Sequence, residues 1–218
     1  MARAFKRKGD RFVARLDPVE REVVVGLLEQ TQTFLAPKHR EPTGDAFDDL
    51  VATLGVRKPD EPGPAGSGVP RDPALDRLLP SAHRDDPAMA AEFRRLTEHG
   101  LRERKSANLA TAISALLAAG ENTENAEAEA KAKAKGKDRA KDRDKVRLDL
   151  EQAQAMVVAL TDVRLLLGER LGLRTDADAD ELHDRLEAAS EEDPELYLAA
   201  YYDFMTWLQE SLTQALMD

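Results

Sequence analysis

Cysteine is missing from all 218 residues, which excludes disulfides, thiolate metal sites, iron–sulfur clusters and any thiol nucleophile or redox switch. Long apolar runs are missing too. None approaches the ~20 residues that span a bilayer, and Met1-Ala-Arg-Ala-Phe-Lys-Arg-Lys-Gly9 places no apolar segment behind its charges. Neither a signal peptide nor a membrane anchor is expected, and the protein is expected in the cytoplasm. Positive charge is in the minority, with 42 acidic against 32 basic residues and a net charge of -10. That balance opposes unassisted attraction to nucleic acid, whose non-specific affinity comes from phosphates neutralised by Lys and Arg. A local basic face is still allowed. Aromatic residues are few, and half of them, Tyr197, Tyr201, Tyr202, Phe204 and Trp207, fall in one stretch. The spacing 197, 201, 204, 208 is that of a helical core stripe.

What is present is mostly helix grammar. Asp-Pro pairs at Asp17-Pro18, Asp72-Pro73, Asp86-Pro87 and Asp193-Pro194 each combine a capping side chain with a proline suited to a first helical turn. After Asp17, Val24, Leu27, Leu28, Thr31 and Leu35 give one apolar side. After Asp72 the helix is short, because Pro80 stops it. A further short helix is expected from Asp45 to Leu54, closed by Gly55. From Pro87 a long helix carries Met89, Phe93, Leu96 and Gly100 on one face and Leu109, Ile113, Leu116 and Leu117 on a rotated one. That rotation implies a bend or burial against two neighbours. Helices are also expected over roughly Val146 to Leu171, Asp180 to Ala188 and Pro194 to Met217. Before them all, Phe5, Phe12, Ala14 and Leu16 around Lys8-Gly9-Asp10 read as a β-hairpin over residues 1–16.

Two stretches offer little to a core. Arg57 to Val69 is rich in Pro and Gly, a linker over 57–70. Residues 121–145 form a charged low-complexity insertion, alanine alternating with charge and then nearly pure charge, whose burial cannot offset its ordering entropy. The fold class is therefore mainly α, a helical bundle with a short N-terminal β-hairpin, built as one domain over 1–218.

No constellation points to catalysis. His39, His83, His99 and His183 are scattered without partners at metal or triad spacing, and Gly168-Glu-Arg-Leu-Gly172 lies inside or at the end of a helix rather than in a phosphate loop. No cofactor, metal or catalytic residue is assigned. Basic residues cluster at the hairpin, where Arg3, Lys6, Arg7, Lys8, Arg11 and Arg15 face only Asp10. A second group, with Arg94 and Arg95 at its head, runs along the long helix among Glu92, Glu98 and Glu103. The hairpin group is a candidate surface for nucleic acid or an acidic partner, with Arg94 and Arg95 as weaker candidates on a face that its own acids can pair.

One residue is out of place. Positions 157, 160, 164, 167 and 171 share a helical face, which puts Arg164 in an apolar stripe. A guanidinium stays charged, so the fold must set a carboxylate or carbonyls against it. Glu92 and Asp203 are the candidate partners, and Asp162 is a further ion-pair candidate.

Three blocks carry a resemblance: Asp72-Pro-Ala-Leu-Asp-Arg-Leu-Leu-Pro-Ser-Ala with Glu92-Phe-Arg-Arg-Leu-Thr; Asp162-Val-Arg-Leu-Leu-Leu-Gly-Glu-Arg-Leu-Gly; and Tyr202-Asp-Phe-Met-Thr-Trp-Leu-Gln-Glu-Ser-Leu. Together they resemble the AosR-like oxidative stress transcriptional regulators of high-GC bacteria, formerly a domain of unknown function and often encoded beside a ClpS-type adaptor. The likeness covers most of the chain, hairpin included, but not 57–70 or 121–145. It implies a non-enzymatic transcriptional regulator acting through RNA polymerase or a sigma factor. It also implies oxidant sensing through a cysteine pair, which this chain cannot supply; methionine oxidation, at Met89 or Met205, is the substitute open to it. DNA contact would be weak and would come from the hairpin. No membrane is implied, and self-association into a homo-oligomer is compatible. The competing expectation is a helical adaptor or scaffold linked to Clp proteolysis.

Overall fold

The computed structural model describes residues 2–36, 72–83, 85–130, 144–190 and 192–218. The helix expected over 45–54, the linker 57–70 and residues 131–143 of the insertion lie outside these. Among the described residues the order is β1 (Arg3–Lys8), β2 (Arg11–Arg15), α1 (Pro18–Leu35), α2 (Pro73–Leu78), α3 (Pro87–Ala130), β3 (Lys145–Leu148), α4 (Leu150–Arg170), α5 (Asp176–Ala188) and α6 (Pro194–Met217). The mainly helical class and the N-terminal hairpin are as expected.

The Asp-Pro signals mark their helices. Asp17 accepts from the Glu20 amide while Glu20 reaches back to the Asp17 amide, a complete capping box. Asp72 and Asp193 cap α2 and α6 with Pro in the first turn, and the Asp86 carboxylate accepts from the Ala88 and Met89 amides at 3.0 Å. Gly9 turns the hairpin at φ +64, and Gly172 ends α4 at φ +76, both left-handed conformations that cost glycine least.

The expected helix from Val146 is corrected. Lys145–Leu148 is a strand, and α4 starts only at Leu150, capped by Asp149 in a second capping box with Gln152. Strand β3 pairs antiparallel with β2, so the hairpin becomes a three-stranded sheet in the order β1-β2-β3. The signal was in the sequence: Lys145-Val-Arg-Leu148 alternates with period two, and Asp149 to Gln152 has capping-box spacing.

Helix α4 packs against α1, α2, α3 and α6, while the inner face of the sheet closes on α3, α4 and α6. Phe5, Phe12, Ala14, Val146 and Leu148 from the sheet meet Leu28, Leu109, Leu116, Met156, Leu160, Met205, Leu208 and Leu212 in one core. A smaller cluster of Leu171, Leu182 and Ala199 holds α5.

Periodicity misjudged two faces. Met89, Phe93 and Leu96 are 52%, 48% and 65% exposed, whereas Leu109, Ile113 and Leu116 are buried. The second set lies under α1 and α4, which cross the later turns of α3, except for Leu117, which is 49% exposed. On α6 the buried face runs through Ala199, Met205, Leu208, Leu212 and Ala215, leaving Tyr197 55% exposed and Trp207 at the surface, stacked on Phe204 with centroids 5.9 Å apart.

Leu148 is fully buried and Val158 is not. Leu148→Ala is expected to lower the unfolding free energy in urea by about 2–5 kcal/mol, and Val158→Ala by no more than about 0.5 kcal/mol. Equal effects would show that β3 adds nothing to the core.

Candidate binding face

Side chains directly opposite one another in an antiparallel sheet project to the same side. Phe12, Ala14, Val146 and Leu148 point inward, so the alternate positions point out. Across the outer face Arg15 lies between Arg3 and Lys145, Val13 between Lys6 and Arg147, and Arg11 opposite Lys8. Arg3 joins this face through an irregularity between Arg3 and Lys6 that shifts the register of β1. Arg3, Lys6, Lys8, Arg11 and Arg147 are exposed, and Arg15 and Lys145 half-buried. Asp10 and Asp149 approach Arg11 at 3.9 and 3.8 Å. Like charges facing one another across strands destabilise a sheet by roughly 0.2–1 kcal/mol per pair.

The structure thus brings together the expected Arg3, Lys6, Lys8, Arg11 and Arg15 and adds Lys145 and Arg147. The two on β3 were missed because Lys145 reads as the end of the insertion and Arg147 as the start of a helix. Arg7 departs from the set. It lies opposite Phe12, in inward register, and its Nε donates to the Gly9 carbonyl at 3.2 Å. There it borders an open groove of about 730 Å³ lined by Phe5, Lys6, Arg7 and Gly9 on one side and by Gln214, Ala215 and Asp218 of the chain's end on the other.

Arg94 and Arg95 do not join this face. Arg95 Nη2 pairs with Glu92 Oε1 at 2.6 Å, and Arg94 Nε lies 3.9 Å from Glu98, which also holds Arg102 at 2.7 Å. The hydrogen bond from Arg95 holds the Glu92 carboxyl below its ordinary value.

Neither expected partner reaches Arg164. Glu92 is taken by Arg95, and Asp203 is exposed. Instead Arg164 Nη1 donates to Gln209 Oε1 at 2.6 Å, Nη2 lies 3.5 Å from the Tyr202 hydroxyl, and the guanidinium sits 5.4 Å from the Tyr202 ring centroid. Gln209 Nε2 in turn donates to Thr161 Oγ1 at 2.6 Å. Arg164 is thus met by neutral dipoles and a ring, and its buried Nε has no partner among the described residues.

Asp162 is an ion-pair member, with Lys105 of α3 at 2.5 Å. Its second oxygen, Oδ2, is buried without a hydrogen bond among the described residues. Burial pushes its carboxyl above the usual range, against the opposing pull of Lys105. At the α2 end of α4, the nearly buried Glu169 is bonded by Arg174 and Arg77, and the Arg174 bond is the larger cause of its lowered pKa.

Among the described residues no cluster of three or more His, Asp or Glu side chains has the geometry to hold a metal ion, and no helix is long and apolar enough to cross a membrane.

Asp162→Ala, which strands Lys105, is expected to cost about 3–5 kcal/mol in urea unfolding. A carboxyl raised on folding gives its full stability below the unfolded value and loses it as pH rises through the folded one. The stability of the wild type relative to Asp162→Asn should therefore decline from about pH 4 upward. A flat difference would contradict the raised pKa.

No curated protein and no solved structure matches the chain. A family described as a domain of unknown function, DUF2017, matches residues 2–216, nearly the whole length and every described element, so the chain belongs to the DUF2017 family.

Proposed function

We propose that this DUF2017 protein is a non-enzymatic, AosR-like transcriptional regulator of the oxidative stress response that acts through contacts with RNA polymerase or a sigma factor. The observation that carries the reading is the outer sheet face, where Arg3, Lys6, Lys8, Arg11, Arg15, Lys145 and Arg147 lie together on a chain of net charge -10. Such segregation steers an acidic surface to one side of the molecule and repels it elsewhere. The resemblance of the Asp72, Asp162 and Tyr202 blocks to AosR-like regulators supplies the transcriptional part.

Oxidant sensing in this chain would have to bypass thiols. Of the two methionines considered, Met89 is 52% exposed and Met205 is fully buried, so Met89 is the one that oxidant can reach.

Full-length protein immobilised in lysate is expected to recover polymerase subunits or a sigma factor. Recovery should fall when Lys6→Glu and Lys8→Glu are combined, and also as ionic strength approaches about 1 M, where the Debye length is about 3 Å. Recovery of Clp components with no polymerase would reject this reading in favour of a proteolysis adaptor.

A further inference from the structure

We propose that the outer edge of β1, where it faces the end of α6, takes up an extended strand of a partner protein in which acidic and neutral polar residues alternate. This rests on the reading above that the protein works through protein contacts, and names the chemistry of the segment it binds.

Strand order β1-β2-β3 leaves β1 as an edge, and an edge strand is a template for another chain. Lys8 and Arg11 flank the two-residue turn Gly9-Asp10, so they form the hydrogen-bonded pair that closes such a hairpin. Alternation then directs the N–H and C=O groups of Arg7 and Phe5 away from β2. The Phe5 amide confirms this: it donates to Ser211 Oγ of α6 at 3.2 Å. Helix α6 thus closes the edge at Phe5, and the groove opens beside Arg7. A strand laid there would exchange two main-chain hydrogen bonds with Arg7.

Side chains of that strand would alternate between two surroundings. Those on the outer side would stand next to Lys6 and Lys8, in line with the rest of the cationic face, and would be matched by Asp or Glu. Those on the inner side would meet the exposed Arg7, Gln214 and Asp218 rather than the buried Phe5 and Ala215, and between these opposite charges would be matched by neutral polar residues. The same lysines repel a second copy of β1, whose own sequence is Arg-Ala-Phe-Lys-Arg-Lys, so the edge rejects self-pairing and selects an acidic strand.

The probe is a fluorescein-labelled octapeptide alternating Glu and Thr, with a block peptide of the same composition as control. With full-length protein, amide shifts are expected over Phe5 to Gly9 and Ser211 to Ala215, and the block peptide should bind at least about tenfold more weakly. Proline is tolerated at an edge position whose N–H faces away from the sheet. Arg7→Pro should therefore keep the wild-type melting temperature yet lose binding about tenfold, whereas Arg7→Gln, which keeps the amide, should lose only about twofold to threefold. If Arg7→Pro fails to fold, N-methylation of alternate peptide residues removes the same hydrogen bonding from the ligand and should abolish binding to wild type.

No binding, equal binding of the block or N-methylated peptide, or equal losses in the two Arg7 variants would overturn the proposal. Peptide binding without recovery of transcription proteins would retain the edge and remove the regulator reading. Recovery of those proteins without peptide binding would do the reverse.

Discussion

Polar side chains of α4 tie it to three neighbours, α2, α3 and α6, and the arrangement of the helices depends on those ties. Asp162 reaches Lys105 on α3, Arg164 reaches Gln209 and Tyr202 on α6, and Glu169 reaches Arg77 on α2, while Arg170 pairs with Asp72 at the cap of α2 at 2.7 Å. Apolar faces alone tolerate sliding, because hydrophobic and about the right size is enough for collapse. Hydrogen bonds at fixed positions do not. The buried Asp162 oxygen and Arg164 nitrogen, left without partners among the described residues, mark the energetic cost of that specificity.

Local signals were legible where local physics decides. All four Asp-Pro pairs start helices, and Gly9 turns the hairpin, because capping and left-handed turns are settled within a few residues. The need of Arg164 for partners was legible in the same way, from its place in an apolar stripe. Which partners it takes was not, since Gln209 and Tyr202 are chosen by how α6 crosses α4. Met89, Phe93 and Leu96 teach the same lesson from the other side. Their spacing identifies one face of α3, but periodicity carries no information on whether another element covers it.

The binding face was half legible for a related reason. Arg3, Lys6, Lys8 and Arg11 crowd together in sequence, and composition alone exposes them. Arg147 and Lys145 stand more than 130 residues away from that group, and only the pairing of β3 with β2 unites them. A net charge of -10 hides this completely, since net charge averages over directions that a partner experiences separately.

The sheet draws its strands from distant parts of the chain, which orders events during synthesis. A hairpin over residues 3–15 can form soon after it leaves the ribosome, but its inner face stays uncovered until Val146 and Leu148 arrive and α6 follows. Closing so long a loop is slow relative to hairpin formation. An emerging chain therefore displays the hairpin cations on an exposed apolar ribbon well before the finished surface exists, and the mature face is assembled only after β3 has been made.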